Sequence, residues 1–187
     1  MPKVKKETKI EDKKSLRKKS KSHANRGLGF ESKINKRLEK LRKEGKLIGF
    51  KIPTDWTVIR KGSRIVSAFT RDKSTIDYFG SYQGYFCGIE AKESHNKTSF
   101  PIRANIHDHQ IKILDELYDN RSLTYYLISF KTLNRMFLVH SKEINTQIQA
   151  GVKSLKLEWF VEHGREFNPK EMNFDDYIYL EDIKNIK

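Results

Sequence analysis

A mixed α/β domain is the fold class this sequence predicts, and three observations carry the prediction. Apolar residues recur at helical spacing near the start, where Phe30, Ile34, Leu38 and Leu41 fall four, four and three apart. Between residues 47 and 91 the chain changes to runs rich in β-branched and aromatic residues, punctuated by Gly and Pro. From residue 106 onward helix-like and strand-like patterns alternate again. A length of 187 residues suits one such domain with an appendage.

The first helix is closed by Gly45. Residues 47 to 70 read as two strands, with Pro53 breaking the run early and Lys61-Gly62-Ser63 supplying a tight basic turn. Residues 75 to 79 and 85 to 91 read as a second strand pair joined through Gly80-Ser81-Tyr82-Gln83-Gly84, whose glycines accept positive φ. After Lys92 comes a polar loop, then a helix over about 106 to 119 with Ile106, Ile113, Leu114 and Leu117 on one stripe. Leu123 to Phe130 and Arg135 to His140 are strand-like, and Ser141 is placed to cap a short helix whose Ile144 and Ile148 share a face. The C-terminal part, with Trp159, Phe160, Phe167, Phe174, Tyr177, Ile178 and Tyr179, is aromatic enough to pack back on the core, but its spacing assigns no elements.

Charge and composition narrow the class of function. Lys and Arg number 38 against 24 Asp and Glu, a net charge of +14 that favours a polyanionic partner, nucleic acid first. Residues 1 to 26 alone hold 11 of the cations and three acids, a net of +8, with almost no large apolar side chains. Such a segment cannot bury enough surface to order itself and reads as a flexible basic arm, either gripping phosphates or serving as a solubilising leader. No run approaches the roughly 18 apolar residues of a membrane span. The single cysteine, Cys87, allows no internal disulfide, and the opening MPKVKKETKI lacks a secretory apolar stretch, so a cytoplasmic protein is expected.

The chemistry is concentrated in residues 74 to 99. Side chains alternate across a strand, so Glu90 and Lys92 share one face while Ala91 faces the other, and Asp77 on the preceding strand meets them across the hairpin. Two carboxylates with a Lys suit a hard divalent cation, because Mg²⁺ prefers oxygen ligands and keeps water and substrate phosphate oxygens around it. The ion would polarise a phosphodiester, and Lys92 would offset negative charge building up at phosphorus. The spacing alone is also that of a solvated, salt-linked strand face. Ile89 and Ala91, flanking Glu90, suggest instead a buried edge strand. His107, Asp108 and His109 lack the i, i+4 spacing of a zinc pair and read as helix-capping residues. Tyr78, Tyr82 and Tyr85 read as cross-strand packing, and Cys87 as a small buried apolar residue.

Three stretches, ANRGLGFE at 24 to 31, STIDYFGSYQGYFCGIEAKESHNKTSFP at 74 to 101 and HDHQI at 107 to 111, resemble the RecU family of Holliday junction resolvases, within the PD-(D/E)xK nucleases. The resemblance spans roughly residues 24 to 140. It implies a restriction-endonuclease-like mixed sheet flanked by helices, with residues 27 to 187 as the nuclease domain and a protruding β-hairpin stalk at about 53 to 70. It implies a homodimer making paired Mg²⁺-dependent nicks in a four-way junction, Mn²⁺ being the alternative ion and branch-migration or recombinase proteins candidate partners. Metal contacts fall on Thr75, Asp77, Glu90 and Gln110, transition-state stabilisation on Lys92, and a supporting acid on Glu31. DNA contacts are assigned to Arg26, Lys51, Arg60, Lys61, Arg64 and Arg71, while Trp56 and Phe69 can either stack on unpaired bases or pack within the hairpin or across a dimer. Two departures stand out: Ile76 precedes Asp77 where related patterns have Thr or Pro, and the PIRAN loop before HDHQ is a residue longer, which bears on the placement of Gln110. The reading from another class is a non-catalytic binder of branched DNA, in which the arm and hairpin do the binding and Asp77, Glu90 and Lys92 are a salt-linked face.

Overall fold

A computed structural model describes residues 28–53, 56–70 and 75–184. The basic arm with Arg26, the position of Arg71 and the side chains of Trp56 and Phe69 lie outside the described residues. In chain order the strands are β1 (Leu47–Lys51), β2 (Trp56–Lys61), β3 (Arg64–Thr70), β4 (Tyr78–Tyr82), β5 (Tyr85–Ser94), β6 (Ser99–Phe100), β7 (Leu123–Phe130), β8 (Arg135–His140), β9 (Leu155–Lys156) and β10 (Arg165–Phe167). The helices are α1 (Leu28–Lys43), α2 (Ile102–Asn105), α3 (Asp108–Asp119), α4 (Ser141–Gln149), α5 (Leu157–His163) and α6 (Glu181–Lys184), with a 3-10 turn at Phe174–Tyr177. No helix among the described residues is long and apolar enough to cross a membrane.

The main sheet runs β1-β4-β5-β7-β8-β10. Neighbours are antiparallel except β5 and β7, which lie parallel and are connected through α2 and α3. All eight residues of β7 are buried, as befits a strand packed on both faces. Leu123, Tyr125 and Leu127 point to the side where α1 lays down Phe30, Ile34, Leu38 and Leu41, joined there by Phe167, Met172, Phe174 and Ile178 of the C-terminal segment. Tyr126, Ile128 and Phe130 point to the other side, against Ile106, Leu114 of α3, Ile144 of α4 and Phe160 of α5. Each such side chain contributes about 1.5–3 kcal/mol on burial. The aromatic C-terminal part thus packs on the core as expected, and Arg37 of α1 anchors it through two 2.7 Å bonds to Asp175.

Several expectations need correction. Residues 47 to 70 are not one strand pair: β1 joins the main sheet beside β4, and only β2 and β3 form the hairpin, separated from β1 near Pro53. The hairpin's described side chains from Val58 to Ala68 are all exposed. β4 starts at Tyr78, and Gly80 to Tyr82 belong to the strand; the turn is only Gln83-Gly84, with φ of 50° and 86°. A two-residue hairpin turn with positive φ at both positions matches the twist of the strands. Within β4, paired with Gly49 and Cys87, position 80 takes Gly because a Cβ there would lie 2.3 Å from the Ile48 carbonyl oxygen. β5 is an interior strand between β4 and β7, not an edge, and it runs on to Ser94.

The helix expected from 106 begins at Asp108, and Ile106 instead closes the short α2, which is what the PIRAN stretch forms. At α4 the cap is His140, whose Nδ1 accepts from the Lys142 N–H at 3.2 Å. Ser141 lies inside the helix, fully buried, its hydroxyl 2.6 Å from that of Thr124.

Candidate active site

Strand β5 delivers Glu90 and Lys92 to the α3 side of the sheet, while Ala91 packs into the cluster under α1. Asp77 comes from the residues leading into β4, one position ahead of the Tyr78–Ile89 register pair, which sets it beside Glu90. Backbone donors fix both acids: the Asp77 N–H donates to Glu90 Oε2 at 3.1 Å, and the Ala91 N–H donates to Asp77 Oδ2 at 3.0 Å. Lys92 Nζ lies 2.7 Å from Glu90 Oε1. The Gln110 amide donates to the same oxygen at 2.5 Å.

Gln110 is held in turn by the start of α3, where its Oε1 accepts from the His107 N–H at 3.1 Å and the His107 side chain accepts from the Gln110 backbone. This is a reciprocal cap of the helix N-terminus, the role expected of His107. The PIRAN stretch ahead of it forms the one-turn helix α2.

Glu90 is fully buried among these groups. Burial first, and then the charge of Asp77, push its carboxyl up to about 8, against the pull of the Lys92 ammonium. A buried acid beside a second carboxylate ionises less readily unless cations compensate it. Among the described residues no three His, Cys, Asp or Glu side chains converge on a common point. The donor set is therefore two carboxylates beside an amide, which fits an ion that retains water and takes oxygens from its substrate.

Glu31, in the first turn of α1, forms an ion pair with Lys51 at the end of β1. Lys51 sits in the main sheet, opposite Tyr78, rather than on the hairpin, with its ammonium on Glu31. Thr75 is exposed, two residues ahead of Asp77. Arg60, Lys61 and Arg64 are exposed around the turn of the β2–β3 hairpin. Tyr82 pairs with Tyr85 across β4 and β5, consistent with packing. Cys87 is buried, which pushes its thiol up to about 12.

Tyr78 packs beside its cross-strand partner Ile89, as read, but its hydroxyl was given no role. The residue is 1% exposed, its hydroxyl has no hydrogen-bond partner, and Glu31, Asp77 and Glu90 all add to the upward shift that burial imposes on it.

The family model described as Recombination protein U matches residues 25–183. A Holliday junction resolvase RecU from Streptococcus thermophilus is 34% identical over 171 residues, covering 87% of this chain and 85% of the relative. Another, from Lactobacillus delbrueckii subsp. bulgaricus, is 41% identical over 132 residues, covering 67% and 62%. Among solved structures, Hjc from Archaeoglobus fulgidus, a Holliday junction resolvase, aligns with a TM-score of 0.39 and 12% identity, over 62% of this chain and 78% of its own.

Proposed function

This chain belongs to the RecU family, Recombination protein U, and on that footing we propose that it is a divalent-metal-dependent endonuclease resolving four-way DNA junctions by paired nicks. The observation that carries the reading is the setting of Glu90. A salt-linked surface face would leave its carboxylates in water, whereas Glu90 is wholly buried and held by the Asp77 N–H, Gln110 and Lys92.

Asp77 and Glu90 would hold the ion, Mg²⁺ or in its place Mn²⁺, with Thr75 and Gln110 beside them. When bound, that ion polarises the phosphodiester and lowers the pKa of an attacking water. The chain's own groups do the rest. Lys92, only 18% exposed, presents a largely desolvated ammonium where charge builds up on the phosphate oxygens. Gln110, fixed by the cap of α3, keeps the Glu90 carboxylate from rotating away. Glu31 stands by as a third acid.

A homodimer suits a substrate with quasi-twofold symmetry, because an isologous pair presents two identical sites to two strands. Arg60, Lys61 and Arg64 on the exposed hairpin would contact phosphates near the junction centre, with the basic arm adding sequence-independent grip. Such an enzyme works in the cytoplasm beside branch-migration or recombinase proteins. The test is a synthetic four-way junction incubated with the purified protein, with and without Mg²⁺. Paired symmetric nicks that need the ion are expected; binding without any nick under Mg²⁺ would leave a DNA-structure binder instead.

A further inference from the structure

The hydroxyl of Tyr78 is one of two buried side-chain polar atoms without a partner among the described residues. Its ring packs beneath α1 in the same cluster as Phe30, Ile34 and Leu38, so a Phe would fill the same space. A desolvated hydroxyl with no acceptor weakens a fold. The hydroxyl therefore contributes nothing to stability in this arrangement, and its surroundings indicate another use. Burial raises its pKa first, and the charges of Glu31, Asp77 and Glu90 add to that rise.

Glu31 is engaged elsewhere, in its ion pair with Lys51. Both partners are partly open to water, at 33% and 38% exposure, and such pairs are weak and easily exchanged. Lys51 also lies directly across the β1–β4 register from Tyr78, so one backbone pair carries both candidate donors for the same carboxylate. A DNA phosphate arriving at the site competes for Lys51 and leaves Glu31 without its donor.

We propose that Tyr78 is a positioning residue: when Lys51 turns to a substrate phosphate, the Tyr78 hydroxyl donates to Glu31 and holds that carboxylate toward the Asp77–Glu90 pair. The hydroxyl is thus unpaired before DNA binds and satisfied once it has bound. This deepens the nuclease reading and rests on it.

The test compares the wild type, Tyr78→Phe, Glu31→Gln and the double variant. Three quantities are measured: junction affinity without metal, single-turnover nicking with Mg²⁺ at saturating junction, and the rise in Tm that Ca²⁺ gives the protein–junction complex. Ca²⁺ serves as a probe that takes the same kind of oxygen ligands. Tyr78→Phe should keep the metal-free Tm at or above wild type and hold junction affinity within about twofold, yet nick about tenfold more slowly. The Ca²⁺-induced rise should shrink to the same extent in Tyr78→Phe, Glu31→Gln and the double variant, since both groups act through one contact. A wild-type nicking rate in Tyr78→Phe overturns the inference, as does a double variant whose loss is the sum of the two single losses. A wild-type chain that leaves the junction intact under Mg²⁺ sinks the nuclease reading and this inference together; wild-type cutting beside an unimpaired Tyr78→Phe sinks the inference alone.

Discussion

Asp77 and Glu90 hold each other in place through the main chain: each carboxylate accepts an N–H from, or next to, the residue that carries the other. Either acid can be neutralised by an isosteric amide with little change in shape. Glu90→Gln should lower nicking by roughly 100-fold or more while leaving junction affinity within a few-fold. The same change should lower the metal-free Tm modestly, because the amide NH₂ faces one of the donors that the carboxylate accepts from. Nicking assays, gel-shift titrations and thermal scans check the three parts, and full cleavage by both Glu90→Gln and Asp77→Asn rules out the proposed chemistry.

Arg37 and Asp175 join the first helix to the C-terminal turn, with side chains only 11% and 5% exposed. Asp175 and the buried Phe174 beside it belong to the segment that covers the α1 side of the sheet. Arg37→Ala would leave a buried carboxylate unpaired, at a cost of about 3 kcal/mol or more. Urea unfolding should show that loss as a lower midpoint, largely recovered when Asp175 is replaced by a neutral residue in the same chain.

Asp182 should give the protein part of its acid sensitivity. Burial works to raise its carboxyl, but two bonds of 2.6 Å from Arg165 and one from the Tyr125 hydroxyl outweigh burial and hold it below 3.8. A depressed carboxyl stabilises the fold at pH above its unfolded value, and that contribution is lost as pH falls through the folded value. Asp182→Asn should therefore be less stable than wild type at pH 7 and lose less on acidification. Denaturation midpoints between pH 7 and pH 3 would show the two profiles converging; parallel profiles would count against the assignment.

How much of this was readable beforehand follows from the reach of each signal. Phe30, Ile34, Leu38 and Leu41 mark α1 correctly, since helical spacing is a local property. Alternation around Glu90 correctly put it with Lys92 and opposite Ala91. That β5 is an interior strand depends on β7, more than thirty residues downstream in the register, and no local pattern carries that information. For the same reason 47 to 70 looked like one hairpin, because the partner of β1 is β4, beyond the intervening ribbon. The ion pair of Lys51 was not legible because its acidic partner, Glu31, lies twenty positions away on another element. The C-terminal cover is built from pieces of two to seven residues, too short to show a period.

Replacing Arg60, Lys61 and Arg64 together by Ala should weaken junction binding and flatten its salt dependence by about two to three in the log–log slope. The three side chains are exposed and lie in neither core cluster, so Tm should hold within a degree or two, as expected for exposed substitutions. Duplex affinity should suffer less than junction affinity; equal losses would argue against a role in recognising branched DNA.

A ribbon whose side chains from Val58 to Ala68 are all exposed, inserted where β1 hands over to β4, leaves the two packed layers indifferent to the sequence of that stretch. Its length and charge can therefore be redrawn without touching Asp77, Glu90 or Lys92. What the protein grips and how it cuts are in that sense separately adjustable, and transplanting a foreign ribbon into this frame should change the preferred DNA shape while sparing the chemistry.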